Sequence, residues 1–511
     1  MSQTKLRKNS KNKNVSDVLV IGSGFGGLSA AALLAHAGYR VHVIEKNEQV
    51  GGRASVFQKA GYTFDMGPSW YMMPEIFENF FAATGRTAQQ YYQLDRLSPS
   101  YRVRYRDGSQ FDFHSDLAKD VATFEKIDPG SADKIRAYLA EAKLKYDVGV
   151  SQVLYENIDS IWDFLKKPEL FRLGSQVQML GSMRSNIRKY ISHPKLQSLL
   201  EYLSVFIGGS PQITPALFSL INYADFGLGI WYPQGGIGTV IEAFRQVCLE
   251  EGVTFSFNTP VTKIISSQGQ ITGVETPSGT FSARVVVSNA ARPHFESLFE
   301  DPAAREHSAK DWEKKIFAPS GFILYLGVAD PLPDLLHHNL LFQTGEAWDQ
   351  HFHQVFERPS WPDLPSVYIN KPSQTDRTVA PKGHSALMVL VPIANNLSES
   401  QAHKEQYAQK ILKYMADEFG VDLRKKLKFQ EIFSVSDFSE RYYAYKGNAL
   451  GGLANTLGQS LFLRPKNQSR KLANLFYSGA NTVPGIGMPP AIISGHLVTE
   501  KVTKFLQNQE S

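Results

Sequence analysis

Three glycines near the start of the chain have the spacing of a phosphate-binding turn. Gly22, Gly24 and Gly27 form a GxGxxG pattern directly after the buried-strand pattern DVLVI at residues 17–21, and an alanine- and leucine-rich stretch follows at residues 28–37. Such glycines allow a tight turn and let the backbone approach a pyrophosphate, which the N-terminus of the next helix attracts. The pattern therefore predicts a strand, a glycine-rich loop and a helix that together bind a dinucleotide.

The residue that would bind the ribose comes about 20 positions later. Residues 40–44 read as a second buried strand, and Glu45 closes it. A carboxylate in this place accepts hydrogen bonds from a ribose hydroxyl and repels a 2′-phosphate. The βαβ unit is complete, and it disfavours NADP.

A second glycine segment indicates which dinucleotide is bound. Gly51, Gly52 and Arg53 follow Glu45 by six to eight residues, and the segment GYTFDMGP follows at residues 61–68. A nicotinamide site does not require this second glycine pair. The longer FAD molecule does, because it extends past the pyrophosphate, needs close backbone approach and is balanced by an arginine. No second GxGxxG is found for NADPH, so we expect the organic substrate to be the electron donor.

The last part of the chain carries a further glycine- and proline-rich turn, SGANTVPGIGMPPAIISG. We predict a strand at residues 475–478, then a turn in which Gly479, Ala480 and Gly487 pass close to the cofactor. Met488 leads into a helix whose first turn contains two prolines, where a missing N–H costs nothing. This turn is expected to complete the flavin site from the end of the chain opposite to the GxGxxG loop.

These elements predict an α/β fold in which a discontinuous Rossmann-like FAD-binding domain holds an inserted, mixed α+β substrate domain. The substrate domain includes a helical part that faces a membrane. Residues 170–195 suggest that part, because Arg172, Arg184, Arg188, Lys189 and Lys195 occur there without an acid. A solvated helix face explains the same pattern. The predicted domain boundaries are residues 15–85, 228–300 and 460–511 for FAD binding, and 86–227 and 301–459 for the substrate.

Composition restricts the remaining possibilities. Five bases and no acid precede Asn14, so the other 54 − 5 = 49 bases balance the 49 acids, and residues 1–14 are predicted to be a basic disordered tail. The neutral body does not indicate a nucleic-acid partner. No apolar run is long enough to span a bilayer as a helix, so any membrane contact is expected to be peripheral. Cys248 is the only cysteine, which excludes an intramolecular disulfide and a cysteine-rich metal site.

The glycine segments together resemble the flavin amine oxidase superfamily, in which a GGR segment and a Gly-aromatic-x-aromatic-Asp-x-Gly-Pro segment follow the first βαβ unit. Further along, residues 337–342, 365–393 and 458–467, with the closing turn, look like the bacterial-type phytoene desaturases and their carotenoid-oxidoreductase relatives. The resemblance covers nearly the whole chain. A strand is predicted at residues 260–265, and in this family pattern Val261 is expected on a strand that contacts adenine.

The resemblance implies FAD-dependent desaturation of an acyclic carotenoid, such as phytoene or a diapocarotene, with hydride transfer to flavin N5. A carotenoid oxygenase, ketolase or isomerase of the same branch is the nearest alternative, and a non-enzymatic lipid-binding escort of the same fold is the alternative from another class. The expected location is cytoplasmic and peripheral to the membrane, with oxygen or a quinone as final acceptor. The predicted contacts to non-covalent FAD are Gly22, Ser23, Gly24, Phe25, Gly26, Gly27, Glu45, Lys46, Gly52, Arg53, Ala54, Val261, Gly479, Ala480, Gly487 and Met488.

Other chemically interesting residues are given structural roles. Asp65 is expected to brace its turn, and the pair His337 and His338 lacks a third metal ligand. Cys248 falls in the middle of a predicted helix, far in sequence from the closing turn. No catalytic base and no metal ligand is predicted. The closing turn departs from the family pattern at Asn481, Val483 and Ile486, which makes the pocket more apolar and leaves the type of carotenoid reaction open.

Overall fold

The computed structural model of the protein describes residues 15–158, 162–163, 166, 178–179, 181–460 and 463–510. The predicted basic tail lies outside the described residues. In chain order the strands are β1 (Val15–Ile21), β2 (Val41–Ile44), β3 (Val56–Lys59), β4 (Tyr62–Asp65), β5 (Leu94–Arg96), β6 (Tyr101–Tyr105), β7 (Gln110–Phe113), β8 (Trp231–Pro233), β9 (Thr254–Ser256), β10 (Lys263–Ser267), β11 (Gln270–Thr276), β12 (Gly279–Ser288), β13 (Ser320–Val328), β14 (His338–Phe342), β15 (Val367–Asn370), β16 (Ser385–Ile393), β17 (Leu427–Phe433) and β18 (Leu475–Tyr477).

The helices are interspersed with these strands and include one that closes the chain. In chain order they are α1 (Phe25–His36), α2 (Pro74–Ala83), α3 (Leu117–Ile127), α4 (Ala132–Gly149), α5 (Met183–Tyr190), α6 (Pro194–Glu201), α7 (Leu220–Tyr223), α8 (Ile237–Glu250), α9 (Arg292–Ser297), α10 (Ala309–Glu313), α11 (Gly345–Phe352), α12 (Gln401–Phe419), α13 (Val435–Tyr442) and α14 (Met488–Glu510).

A parallel sheet carries the glycine-rich loop. Its parallel strands lie in the order β9, β2, β1, β12, β18, and β11 and β10 extend it as antiparallel strands from the first part of β12. Val18, Leu19 and Val20 are buried on both faces of the sheet, as expected for a parallel sheet covered by helices. The helices α8 and α14 both pack against α1. This arrangement confirms the predicted Rossmann-like unit.

A second, mixed sheet follows the order β17, β13, β16, β15, β14, β6, β7. Alternation along β13 gives it two buried faces: Phe322 and Leu324 pack with α12, whereas Ile323 and Tyr325 join the core shared with the helices of residues 117–228. Its strands all come from the segments predicted for the substrate domain. The fold class is confirmed, while the domain boundaries remain predictions.

The strand predicted at residues 260–265 is displaced. Asn258 has φ +50°, and the N–H of Thr259 donates to the carbonyl oxygen of Glu45 at 2.9 Å, so the chain turns across the end of β2 before it forms β10 at Lys263. Val261 therefore lies in the loop before the strand, and its predicted place on the strand is wrong.

Two further observations concern the predicted membrane-facing helices. No helix among the described residues is both long and apolar enough to cross a bilayer. In the basic stretch, Arg184 forms ion pairs with Glu201 at 2.8 Å and Asp349 at 2.6 Å, and Lys195 pairs with Asp107 at 2.5 Å. Residue 172 lies outside the described residues, so the membrane-facing role of this stretch remains a prediction.

Candidate functional site

The loop between β1 and α1 has no room for side chains at its glycines. Gly22 has φ +96°, and a Cβ on Gly27 would lie 2.1 Å from the carbonyl oxygen of Gly22. A Cβ on Gly24 would lie 2.8 Å from Asn289 Oδ1. No side chain caps α1 at Gly24, so the first N–H groups of the helix face the loop without a side-chain acceptor. The loop suits a phosphate group held against backbone.

Glu45 is buried at the end of β2 and bonds to the glycine loop. Its Oε2 accepts from the backbone N–H of Ser23 at 2.9 Å and from Ser23 Oγ at 2.8 Å, while Oε1 accepts from the N–H of Asn47 at 2.9 Å. The carboxylate thus fixes the loop and stands beside the position where a ribose would lie.

Arg53 is a partly buried cation without a carboxylate partner. Its Nε donates to the carbonyl oxygen of Ala449 at 2.7 Å and its Nη2 to that of Asn448 at 3.4 Å, and the described residues provide no acid within ion-pair distance. Desolvation by the surrounding protein lowers the pKa of the guanidinium to about 10. A desolvated charge of this kind is costly unless an anion balances it. A pyrophosphate would supply the missing charge.

The closing turn approaches the same region from the end of the chain. Gly479 has φ +91° and donates its N–H to Ser494 Oγ at 2.7 Å, which fastens the turn to the first part of α14. Asn481 Nδ2 donates to the carbonyl oxygen of Gly451 at 2.8 Å. Ile486 is buried, and its side chain would collide with a Cβ on Gly208 or Gly452. Two of the departures from the family pattern therefore have packing roles.

One cavity of about 480 Å³ joins these segments. It is lined by fifteen of the sixteen residues predicted to bind the cofactor. Gly27 is the exception, because its role is to let α1 pack against the loop. The members that line the cavity are Gly22, Ser23, Gly24, Phe25, Gly26, Glu45, Lys46, Gly52, Arg53, Ala54, Val261, Gly479, Ala480, Gly487 and Met488.

The same cavity continues into an apolar region between the second sheet and the helical layer. Its walls come from the loop after β4, from β13 and β16, and from the helical segments around residues 154, 206 and 220. Glu45 is the only acid among the described lining residues, and it lies at the nucleotide end. The apolar residues of this region include Met66, Met72, Leu154, Val205, Phe206, Phe218, Leu220, Ile221, Ile323, Met388 and Leu390.

A short row of hydrogen-bonded polar side chains interrupts the apolar wall. Tyr368 Oη lies 2.8 Å from Ser69 Oγ and 2.7 Å from His338 Nδ1, and the Trp70 ring stacks on His338 with centroids 4.5 Å apart. His338 Nε2 and Trp70 Nε1 are buried without hydrogen-bond partners. Burial holds the pKa of His338 well below its ordinary value, so this row of hydrogen-bonded side chains is neutral.

The other singled-out residues have structural roles. Asp65 accepts from the N–H groups of Ile237 at 2.8 Å and Gly238 at 2.9 Å, so it braces the start of α8 rather than its own turn. The described residues contain no group of three metal-ligating side chains, and His337 and His338 lie buried at the start of β14. Cys248 is buried in the last turn of α8, nearer its end than expected.

Sequence reasoning missed several lining residues. Asn289, directly after β12, fills the hollow between Gly24, Gly26 and Gly479. The rings of His294 and Tyr443 line the cavity beyond Glu45. Asn289 could have been suspected, because it is the polar residue that closely follows the valine run at residues 285–287. Tyr443 carries no comparable signal, because it comes from a segment about 400 residues away in the chain.

Known proteins resemble this chain over nearly its full length. Residues 25–503 match the family described as flavin containing amine oxidoreductase. A carotenoid 3,4-desaturase of Haloarcula japonica is 42% identical over 95% of this chain and 97% of that protein. A 4,4′-diapolycopene oxygenase of Methylomonas sp is 32% identical over 96% of this chain and 98% of that protein. The solved structure of an oxidoreductase from Methanosarcina mazei superposes with a TM-score of 0.62 at 18% identity, covering 94% of this chain and 99% of that one.

The matched family and the site agree. The escort alternative is disfavoured, because the glycine loop, Glu45 and Arg53 converge on one cavity and the chain matches an oxidoreductase family over most of its length. The chain belongs to the flavin-containing amine oxidoreductase family, in its bacterial-type carotenoid desaturase branch, and is a flavin-dependent oxidoreductase.

Proposed function

We propose that the protein desaturates an acyclic carotenoid, using non-covalently bound FAD as the hydride acceptor. The observation that carries this proposal is the single cavity whose one part is lined by dinucleotide-binding loops and whose other part is lined by apolar side chains. The desaturase at 42% identity supports the reaction, because its match covers almost all of both chains.

The apolar walls fit a hydrocarbon substrate. Transfer of an alkyl chain out of water is favourable by roughly 0.8 kcal/mol per carbon. For several tens of carbons the total transfer free energy exceeds the roughly 20 kcal/mol ceiling of real affinities. The substrate is therefore never free in water. Transfer from lipid into an apolar cavity is nearly neutral, because lipid tails are as apolar as leucine. We therefore expect the substrate to enter the cavity directly from a bilayer.

When bound, FAD supplies the two-electron chemistry, and the protein supplies position and environment. The glycine loop and Arg53 would hold the pyrophosphate, and Glu45 would orient the ribose. The N-terminus of α14 faces the cavity at Met488, where the helix dipole favours negative charge by roughly 0.3 to 1 kcal/mol. The apolar walls exclude water from the reacting carbons. Since no acid lines this part among the described residues, we assign no side chain as base.

Non-covalent attachment agrees with the position of the single cysteine. Cys248 is completely buried, and its Sγ lies 3.4 Å from the carbonyl oxygen of Leu28, on the side of α1 that packs against α8. Burial raises the pKa of the thiol well above its ordinary value, so the nucleophilic thiolate is suppressed. Cys248 also does not line the cavity.

We further propose that the protein contacts a membrane through an apolar patch of Ile316, Leu457 and Leu463. These side chains are 46%, 54% and 53% exposed. Gln459 joins the two segments, because its amide bonds both the N–H and the carbonyl oxygen of Ile316, at 3.0 and 2.8 Å. Asn455, two residues before Leu457, lines the cavity. The patch therefore lies close to one wall of the cavity, and we propose that a carotenoid enters on this side.

A carotenoid oxygenase is the second candidate, favoured by the diapolycopene oxygenase that matches over almost all of both chains. Co-expression in cells that produce phytoene or diapophytoene, followed by pigment analysis, separates the two. Longer conjugated chromophores are expected, with yellow protein that releases FAD on denaturation. Oxygenated products would favour the oxygenase, and colourless protein that binds no added FAD would contradict both.

A further inference from the structure

Three side chains form a stack at the nucleotide end of the cavity. The ammonium group of Lys46 lies 3.7 Å from the centroid of the Tyr443 ring, and the His294 ring stacks on Tyr443 with centroids 3.9 Å apart and an angle of 23° between the planes. All three side chains line the cavity. Lys46 directly follows Glu45, the residue placed to bind the ribose, so the stack lies at the adenosine end.

The walls around this end suit a planar base. Beside the stack lie mostly apolar residues from two loops and from α9: Val261, Thr259, Ala290, Ala291, Phe295 and Leu298. These residues line the same cavity as the stack, and a slot between them would be closed on one side by the Tyr443 ring. A purine ring in the slot would contact aromatic and aliphatic surface.

Backbone and ion-pair contacts attach the covering segment to the loop after Glu45. Lys46 Nζ donates to the carbonyl oxygen of Glu440 at 2.7 Å, and Asn47 Nδ2 donates to that of Arg441 at 3.3 Å. Arg441 Nη2 pairs with Glu48 Oε1 at 2.8 Å. Each of the three residues after Glu45 therefore bonds to residues 440–441, immediately before Tyr443.

Tyr443 adopts a backbone conformation that bulky residues rarely take. It has φ +50° directly after α13, in the left-handed region that favours glycine. A tyrosine persists there only when its surroundings hold it, and such outliers cluster at ligand clamps. The cation on one face and the imidazole on the other hold the ring in this place.

A second cavity lies on the far side of the stack. It has a volume of about 410 Å³ and is lined by His294 and Tyr443 together with Trp312, Tyr445 and Lys446. The His294–Tyr443 pair thus separates the nucleotide cavity from an outer one. Tyr443 thus borders an open volume on the side away from the nucleotide cavity.

We propose that Tyr443 is a lid over the adenosine end of the bound dinucleotide, held shut by Lys46 and His294, and that its opening limits cofactor release. This inference rests on the proposed FAD cofactor. It does not depend on which carotenoid is the substrate. Tyr443 acts as a positioning residue, because it holds the cofactor at the end remote from the reacting atoms.

Flavin release from the loaded protein tests the lid. Fluorescence of released FAD after dilution gives the dissociation rate without any carotenoid. We expect Tyr443→Ala to release FAD about tenfold faster, because it loses the stack and the cation–π contact. Tyr443→Phe keeps the ring and should release FAD at the wild-type rate. Tyr445→Ala is the matched control, since Tyr445 lines only the outer cavity.

A milder variant keeps the test decisive if Tyr443→Ala does not fold. Lys46→Met keeps the length of the side chain but removes the ammonium, and we expect several-fold faster release with an unchanged visible spectrum. Wild-type release rates in Tyr443→Ala or Lys46→Met would overturn the lid, as would an equal acceleration in Tyr445→Ala. If wild-type protein binds no FAD, the proposed cofactor itself fails, which is a different result.

Discussion

Two arginines differ in what balances their charge. The partly buried Arg53 donates only to carbonyl oxygens, whereas the fully buried Arg292 pairs with Glu296 at 2.9 Å and Glu306 at 3.1 Å. Removal of one partner from an ion pair that is complete within the protein destabilises the fold, because the other charge is left unpaired. An unpaired charge that faces a cavity is instead available to a ligand. Arg53 is therefore expected to contribute to cofactor binding more than to folding.

Replacement of each arginine by methionine tests this difference. Arg53→Met should weaken FAD binding at least tenfold and change the free energy of unfolding of the cofactor-free protein by no more than about 1 kcal/mol, because relief of the desolvated charge offsets two lost hydrogen bonds. Arg292→Met should lower that free energy by about 3 to 5 kcal/mol. Fluorescence titration and urea unfolding measure the two quantities. Similar losses of stability in both variants would contradict the assignment.

Asp225 is a buried acid that prefers to be neutral. Tyr101 Oη and Tyr202 Oη donate to its Oδ2 at 3.0 and 3.1 Å, and burial raises its pKa to about 8. The folded-state pKa lies above that of the unfolded chain, so this group takes stability away as the pH rises from about 4 to about 8. The free energy of unfolding therefore falls by at most about 1.4 kcal/mol per pH unit in this range.

Asp225→Asn should remove this pH dependence of the free energy of unfolding. The variant is expected to gain free energy of unfolding relative to wild type at each step from pH 5 to pH 8, measured by urea unfolding. Asp107→Asn is the control, because Lys195 holds the pKa of Asp107 near 2 and its titration ends below this range. A constant difference between wild type and Asp225→Asn across the range would show that Asp225 is ionised in the fold.

At the scale of elements, the sequence predicts the parts whose contacts are local. The glycine loop, Glu45 and Arg53 all lie within about 30 residues of one βαβ unit, so their spacing reflects the geometry. The lid and the apolar walls could not be predicted in this way. Tyr443 reaches Lys46 only through the pairing of two distant segments, and its residue type has no pattern. Val261 was misplaced because the turn at Asn258 depends on contacts with β2.

The packing of α1 against its loop gives a prediction for this element. Gly27→Ala should lower the free energy of unfolding by about 2 kcal/mol or more and reduce bound flavin, because the new Cβ would lie 2.1 Å from the carbonyl oxygen of Gly22. Gly458→Ala is the matched control: its Cβ would meet nothing within 4 Å, and its φ is not positive. Thermal unfolding and flavin content measure both effects. A Gly27→Ala protein with wild-type stability would contradict the tight packing.

At the scale of the whole molecule, the two sheets divide the chemistry. The parallel sheet presents the dinucleotide loops, and the mixed sheet with its helical layer forms the apolar walls. The two meet along one cavity. The family resemblance implied both a flavin site and a substrate domain from the sequence. The joining of the halves depends on contacts between strands and loops hundreds of residues apart, which sequence periodicity does not encode.

The apolar patch is expected to hold the molecule on a bilayer. The side chains of Ile316, Leu457 and Leu463 are each about half exposed. Burial of their exposed parts in lipid is therefore favourable by about 1 kcal/mol per side chain, which for the three corresponds to roughly a hundredfold in partitioning. Their joint replacement by serine should reduce co-sedimentation with phospholipid vesicles by about that factor while bound flavin is unchanged. Leu117→Ser with Leu249→Ser is the control, because these side chains are similarly exposed and lie on α3 and α8. If this pair weakens vesicle binding as much as the patch variant does, general hydrophobicity rather than the patch holds the protein on the membrane.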